Sequence, residues 1–134
     1  MSEQRDDMTA AVDRVLVTGD FTVHDLRTMR VGLDAFAAAV SNVLPVETVT
    51  DEELDLPGRS IPLRSYRPAG ADDAVLVWFH GGGYVSGTIE AIDPVCRILA
   101  DRLRCTVVSV GYRLAPESPY PAALEDCLAA LHAV

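Results

Sequence analysis

Ala74-Val75-Leu76-Val77-Trp78-Phe79-His80-Gly81-Gly82-Gly83-Tyr84-Val85-Ser86-Gly87 decides how this chain is read. Its first six residues are apolar with no polar alternation, which predicts a strand buried on both faces. The run then breaks into a histidine and three residues that lack a Cβ. Glycines stand in such a row where the backbone takes unusual dihedrals, or where something must approach its N–H groups closely. At the end of a buried strand, that something is a ligand or a developing negative charge.

Three chemical readings of the loop compete. A dinucleotide fingerprint, G-x-G-x-x-G from Gly81, requires glycine or alanine where Ser86 stands. A phosphate-binding P-loop requires a lysine, and all eleven basic residues are arginine. An oxyanion hole, whose N–H groups face the oxygen of a tetrahedral intermediate, meets neither objection. A purely structural turn stays open beside it.

Downstream, Asp93-Pro94 predicts a helix start, with the cap side chain first and proline at the first helical position. Ile92, Val95, Cys96, Leu99 and Leu103 form its apolar stripe, and Arg97 can pair with Asp101 one turn on. Cys105-Thr106-Val107-Val108-Ser109-Val110 reads as a second buried strand. Strand, helix and strand make a βαβ unit, hence a parallel pairing covered by a helix. The prolines of the stretch from Gly111 to Pro119 predict an irregular connection. Pro121 then opens a helix that turns Ala122, Ala123, Leu124, Cys127, Leu128 and Leu131 inward.

Upstream, Val46–Thr50 and Ile61–Pro68 alternate, with Pro57-Gly58 between them, so an antiparallel pair is expected. The acidic run Asp51-Glu52-Glu53-Leu54-Asp55 reads as a solvated loop or strand edge, since it lacks the alternation of a Ca²⁺ loop. Residues 1–45 read as helical. A short helix over Thr9–Val17 precedes a longer one that starts at the capping box of Thr22 and Asp25 and ends at Pro45. Leu26, Met29, Leu33, Phe36 and Val40 form the apolar face of the longer helix. That preface is either a packing element or a lid over a site.

Composition narrows the classes. The 134 residues are 49% hydrophobic and 23% charged, as in a globular domain. A net charge of −9 disfavours nucleic acid and anionic membranes as partners, because both repel it. Cys96, Cys105 and Cys127 have no paired spacing, and the acidic, polar N-terminus is unlike a signal peptide. Free thiols in a reducing cytoplasm are the expectation. No apolar run reaches membrane-spanning length.

His80-Gly81-Gly82-Gly83, Asp93 with Cys96-Arg97-Ile98-Leu99-Ala100, Tyr112-Arg113-Leu114-Ala115-Pro116-Glu117, and Tyr120-Pro121-Ala122-Ala123-Leu124-Glu125-Asp126 follow one another in order. Together they resemble the hormone-sensitive-lipase-like carboxylesterases, the α/β-hydrolase fold-3 family. The likeness covers roughly Val46 to Val134, and the N-terminal helices fit that family's cap. The resemblance implies that the N–H groups of Gly82 and Gly83 stabilise the oxyanion, that His80 and Gly81 support the loop, and that Tyr112 to Glu117 is a structural turn near the site. It implies a serine that attacks a short- or medium-chain carboxylic ester through an acyl-enzyme, with no cofactor and no metal. Family members commonly carry aspartate before the tyrosine, where this chain has Gly111.

The family's nucleophile stands in a G-x-S-x-G elbow after the Pro121 helix, and these residues contain no such sequence. Gly83-Tyr84-Val85-Ser86-Gly87 has its serine one place too late and follows a different strand. The family's triad aspartate and histidine come later still, and His24 and His132 read as ordinary surface or packing histidines. No catalytic triad residue is therefore assigned. The expectation is an α/β chain with an incomplete α/β-hydrolase fold, a helical cap segment over residues 1–45 and the first strands of a mostly parallel sheet with flanking helices over 46–134. It is expected to be inactive alone. An ester substrate would bind only once the missing half is supplied. Other possibilities are an interaction module, one half of a split hydrolase paired with a C-terminal-half partner, or a remnant of an interrupted frame. Without its neighbour, the strand before the glycines becomes an apolar edge, and self-association is expected.

Overall fold

The computed structural model describes residues 28, 30–32, 35, 39 and 45–134. The six described positions before Pro45 are helical. The Thr9–Val17 helix, the capping box at Thr22 and Asp25, and the stripe from Leu26 to Val40 lie outside the described residues.

Two long strands come first, β1 (Thr48–Leu56) and β2 (Arg59–Arg67). They pair antiparallel, from Thr48 opposite Arg67 to Leu56 opposite Arg59. Gly58, at φ 78°, follows Pro57 in the order a type II turn demands. The acidic run lies within β1. Asp51 faces Arg64 in the register, and the guanidinium bonds it at 2.5 and 3.1 Å. That bond holds the Asp51 carboxyl below its usual range despite the opposing effect of burial.

Next come β3 (Val75–Phe79), helix α1 (Ile89–Leu103) and β4 (Thr106–Val110). β3 pairs parallel with β4, Val75 to Thr106 through Phe79 to Val110, as the βαβ reading requires. β2 joins β4 antiparallel, with Leu63 opposite Val110, so the sheet is mixed and ordered β1-β2-β4-β3. β2 and β4 hold the interior positions, and in β4 Val107, Val108, Ser109 and Val110 are all buried. β3 is not buried on both faces. It is an edge strand whose Val75 and Phe79 are exposed.

The sheet has a helix on each face. Tyr66, Leu76, Trp78 and Val107 pack with Cys96 and Ala100 of α1. Ile61, Leu63, Val77, Val108 and Val110 pack with Ala123, Cys127 and Ala130 of helix α2 (Ala122–Ala133). The strand alternation of period two thus feeds two separate cores. No helix among the described residues is long and apolar enough to cross a membrane.

Two helix expectations are corrected. α1 starts at Thr88, not at Asp93-Pro94; the Thr88 hydroxyl accepts from the Ala91 N–H at 3.0 Å. Asp93 is buried inside the helix and does tertiary work instead. Its carboxylate accepts from the Tyr66 hydroxyl at 2.9 Å and from Arg97 Nε at 2.7 Å. Arg97 therefore pairs backward with Asp93 rather than forward with Asp101. The second correction concerns the roll of α2. Ala122, Ala123, Asp126 and Ala130 are its buried residues, whereas Leu124, Leu128 and Leu131 are about half exposed.

Asp126 explains that roll. Its carboxylate is wholly buried and binds Arg59 Nε at 2.8 Å. It also accepts from the Arg113 N–H at 3.0 Å, from Arg113 Nε at 2.8 Å and from Nη2 at 2.9 Å. Burial alone would raise its pKa, but the bonds from Arg113 and Arg59 outweigh it and hold the value below the ordinary one. Four donors hold the buried carboxylate in this orientation, because turning it away from them would leave a buried charge unpaired.

Replacing Asp126 with alanine removes the buried partner of two partly exposed arginines, of which Arg113 keeps Glu125 at 3.4 Å, and should cost about 1–3 kcal/mol in a denaturant titration. With a folded pKa below the unfolded value of about 3.9, the carboxylate's contribution is present at neutral pH. It should fade as pH falls through the folded value, giving an acid limb in the stability curve that Asp126→Asn flattens.

Candidate oxyanion site

The glycine loop leaves the C-terminal end of β3, beside the interior strand β4. Its backbone is unusual where the glycines stand: φ is 125° at Gly82, 61° at Gly83 and 98° at Gly87. A Cβ on Gly87 would come within 2.3 Å of His80 Nδ1, and one on Gly82 within 2.0 Å of the Ser86 carbonyl oxygen. Both positions therefore require glycine on steric grounds as well as conformational ones. Tyr84 also has a positive φ, 64°, without being glycine.

In a trans peptide the carbonyl of one residue and the N–H of the next point in opposite directions. The direction of each N–H in the loop is thus set by whatever holds the preceding carbonyl. His80 Nδ1 lies 2.9 Å from the Gly81 carbonyl oxygen, which turns the Gly82 N–H away from the histidine. The Gly82 carbonyl accepts from the Val85 N–H, the Ser86 N–H and the Ser86 hydroxyl, each at 3.1 Å. That turns the Gly83 N–H outward. Neither the Gly82 nor the Gly83 N–H has a hydrogen-bond acceptor among the described residues.

His80 is itself braced. Its ring stacks on Tyr112 at 4.2 Å between centroids. The Tyr112 hydroxyl donates to the His80 carbonyl and lies 3.1 Å from Nδ1. One tautomer satisfies every contact: Nδ1–H donates to the Gly81 carbonyl and the tyrosine oxygen, while the tyrosine proton goes to the His80 carbonyl. Burial holds the imidazole below its usual pKa, partly offset by the Gly81 bond, and lifts the Tyr112 phenol to about 12. Both side chains are neutral at pH 7, as a brace requires.

The loop borders two apolar hollows. A groove of about 420 Å³ is lined by Phe79, His80, Gly83, Tyr84, Leu124 and Cys127, among others. A hollow of about 260 Å³ shares Tyr84 and Leu124 with it and continues to Ser118, Tyr120 and Pro121. A larger depression of about 490 Å³ touches neither Gly82 nor Gly83; its charged lining centres on Arg64, 3.3 Å from Glu90. Burial raises the Cys127 thiol's pKa, so it faces the groove as a protonated thiol and not as a nucleophile. All three cysteines are free, and Cys96 is pushed up to about 11 by burial. Among the described residues no three His, Cys, Asp or Glu side chains converge as metal ligands.

A family model described as the alpha/beta hydrolase fold matches residues 76–134. The solved esterase of Pyrobaculum calidifontis superposes with a TM-score of 0.75 at 38% identity, over 82% of this chain and 37% of that one. Residues 76–134 thus carry part of the α/β-hydrolase fold. Curated relatives of the chain include an arylesterase of Saccharolobus solfataricus, 35% identical over 113 residues, covering 84% of this chain and 37% of the relative. Another is the versiconal hemiacetal acetate esterase of Aspergillus parasiticus, 42% identical over 88 residues, covering 64% of this chain and 27% of the relative. The chain thus spans 37% of the length of the first of these relatives and 27% of the second.

Two residues of this site were not singled out from sequence. Ser86 entered as the residue that spoils a dinucleotide motif and as a serine one place too late for an elbow, yet its hydroxyl and N–H hold the Gly82 carbonyl. Arg30 gave no signal at all, and it reaches the loop across 55 residues of sequence. Gly111, noted in the sequence, leaves no room for a side chain: a Cβ would come within 2.7 Å of Pro62 Cγ.

A neutral, buried His80 has a directly observable consequence. Its imidazole should titrate by NMR below the ordinary value of about 6.5. Because the unfolded histidine takes its proton first, stability should begin to fall as pH drops below about 6.5. His80→Ala should abolish that limb and loosen the loop.

Proposed function

We propose that this chain supplies the oxyanion-binding part of a serine carboxylester hydrolase. The observation that carries the reading is the arrangement of the Gly82 and Gly83 N–H groups, turned outward because His80 and Ser86 hold the carbonyls before them. Such donors stabilise the charge that develops on a tetrahedral intermediate, and each is worth about 3 kcal/mol of the barrier. The apolar groove and the hollow sharing Tyr84 and Leu124 suit the acyl or alcohol part of a short- or medium-chain ester. Relatives named as esterases support the reaction class. The three free thiols suit a reducing cytoplasm.

These 134 residues hold no G-x-S-x-G serine, and His80 is committed to the Gly81 carbonyl and Tyr112. The reaction therefore needs a nucleophile and a base carried by residues outside them. Incubating the chain with a serine-reactive fluorophosphonate should leave its intact mass unchanged. Adding a polypeptide that carries the elbow serine and the histidine should give an adduct on that polypeptide. A stoichiometric adduct on the chain alone would overturn the proposal.

The open edge of β3 favours association as a second property. Its outer side pairs with no strand among the described residues, and Val75 and Phe79 are exposed along it. Sedimentation of the 134-residue chain should show oligomers whose share grows with concentration. A monodisperse monomer with a cooperative thermal transition would count against association.

A further inference from the structure

Arg30 lies on a helical turn far from the glycine loop in sequence, and four hydrogen bonds bring it there in space. Its Nε donates to the Val85 carbonyl at 2.8 Å, and Nη2 donates to the Ala115 carbonyl at 2.8 Å. Nη1 and Nη2 also donate to the Glu117 carboxylate, at 3.0 and 3.2 Å. The two loops already meet at one backbone bond, from the Ala115 N–H to the Tyr84 carbonyl at 2.8 Å. The Val85 and Ala115 carbonyls are both acceptors and cannot bond each other. A planar fork of donors joins them, and a lysine ammonium lacks that geometry.

We propose that Arg30 is a positioning residue that helps set the direction of the Gly83 N–H through two peptide planes joined by a hydrogen bond. The Val85 carbonyl and the Ser86 N–H belong to one peptide and point oppositely. Holding that carbonyl on the guanidinium aims the Ser86 N–H at the Gly82 carbonyl, 3.1 Å away. The Gly82 carbonyl and the Gly83 N–H form the peptide at the other end of that bond, so Arg30 steadies the second plane through the first, beside the Val85 N–H and the Ser86 hydroxyl. The Gly82 N–H depends on the His80 contact to Gly81 instead, and lies outside this relay. The two donors are thus aligned by separate devices, one within the loop and one from the N-terminal helical residues. The functional importance of this relay rests on the reading of Gly82 and Gly83 as oxyanion donors; the relay itself is a property of the loop.

Amide exchange and chemical shifts of the ¹⁵N-labelled 134-residue chain test it. In Arg30→Ala the Ser86 amide should exchange about tenfold faster, as the loss of a charged hydrogen bond predicts. The Gly83 resonance should move while that of Gly82 stays, and the Val108 amide of β4 should keep its protection as a control for folding. Arg30→Lys should behave like the alanine variant, and free methylguanidinium should restore the Ser86 protection of Arg30→Ala. Unchanged Ser86 exchange would overturn the proposal. So would equal loss at Val108, which would make the role one of global stability, or full protection in Arg30→Lys, which would make charge sufficient. None of these readouts involves ester chemistry. A relay that behaves as expected beside a complemented enzyme indifferent to Gly83 would sink the oxyanion reading alone.

Discussion

A carboxylate taken wholly out of water must be neutralised and hydrogen-bonded, or the fold loses several kcal/mol. Asp126 is such a group, and much of the molecule is arranged to satisfy it. Arg59 reaches it from the start of β2, and Arg113 reaches it from the connection after β4 with both backbone and side chain. The helix that carries Asp126 therefore cannot roll to bury its leucines. Leu124 is left to line the groove beside the glycine loop, where a roll that favoured hydrophobic burial would withdraw it. On the opposite face Asp93 serves α1 in the same way, through Tyr66, Arg97 and the more distant Arg64 at 3.7 Å.

The site uses a different economy. Among the described residues no acceptor bonds the Gly82 and Gly83 N–H groups; the structure acts on the carbonyls that precede them. Planar peptides convert an inward-held oxygen into an outward-facing hydrogen, so a small number of ordinary bonds preorganises two donors. Preorganisation of this kind removes the reorganisation that water would undergo as charge develops. His80 can brace because burial keeps it neutral, and it stays fixed because Tyr112 stacks on it.

How much of this was legible in the sequence follows the range of the interactions. The parallel pair of strands with a helix between them was readable from Val75 to Val110, because apolar runs and glycine breaks are local. So was the antiparallel pair around Pro57-Gly58. The helix start was misplaced at Asp93-Pro94 because the local cap signal there is real in form, while the aspartate is used by Tyr66, 27 residues earlier. The roll of α2 was misjudged for the same reason, since leucine spacing says nothing about arginines at positions 59 and 113. At the site, three glycines announced close approach, yet nothing local revealed that Ser86 and Arg30 complete the turn. Long-range polar contacts leave no period to read.

Tyr84 is the one residue between His80 and Gly87 that takes a left-handed backbone while carrying a side chain. Glycine would hold that conformation without the penalty of about 1 kcal/mol or more that a Cβ incurs there. The ring nonetheless forms a wall of both apolar hollows, and it is 63% exposed. Tyr84→Gly would thus relax the backbone of the loop and merge its two hollows into a single open trough. Local stability and the division of the binding surface pull in opposite directions at this position, and the tyrosine marks the side the chain has taken.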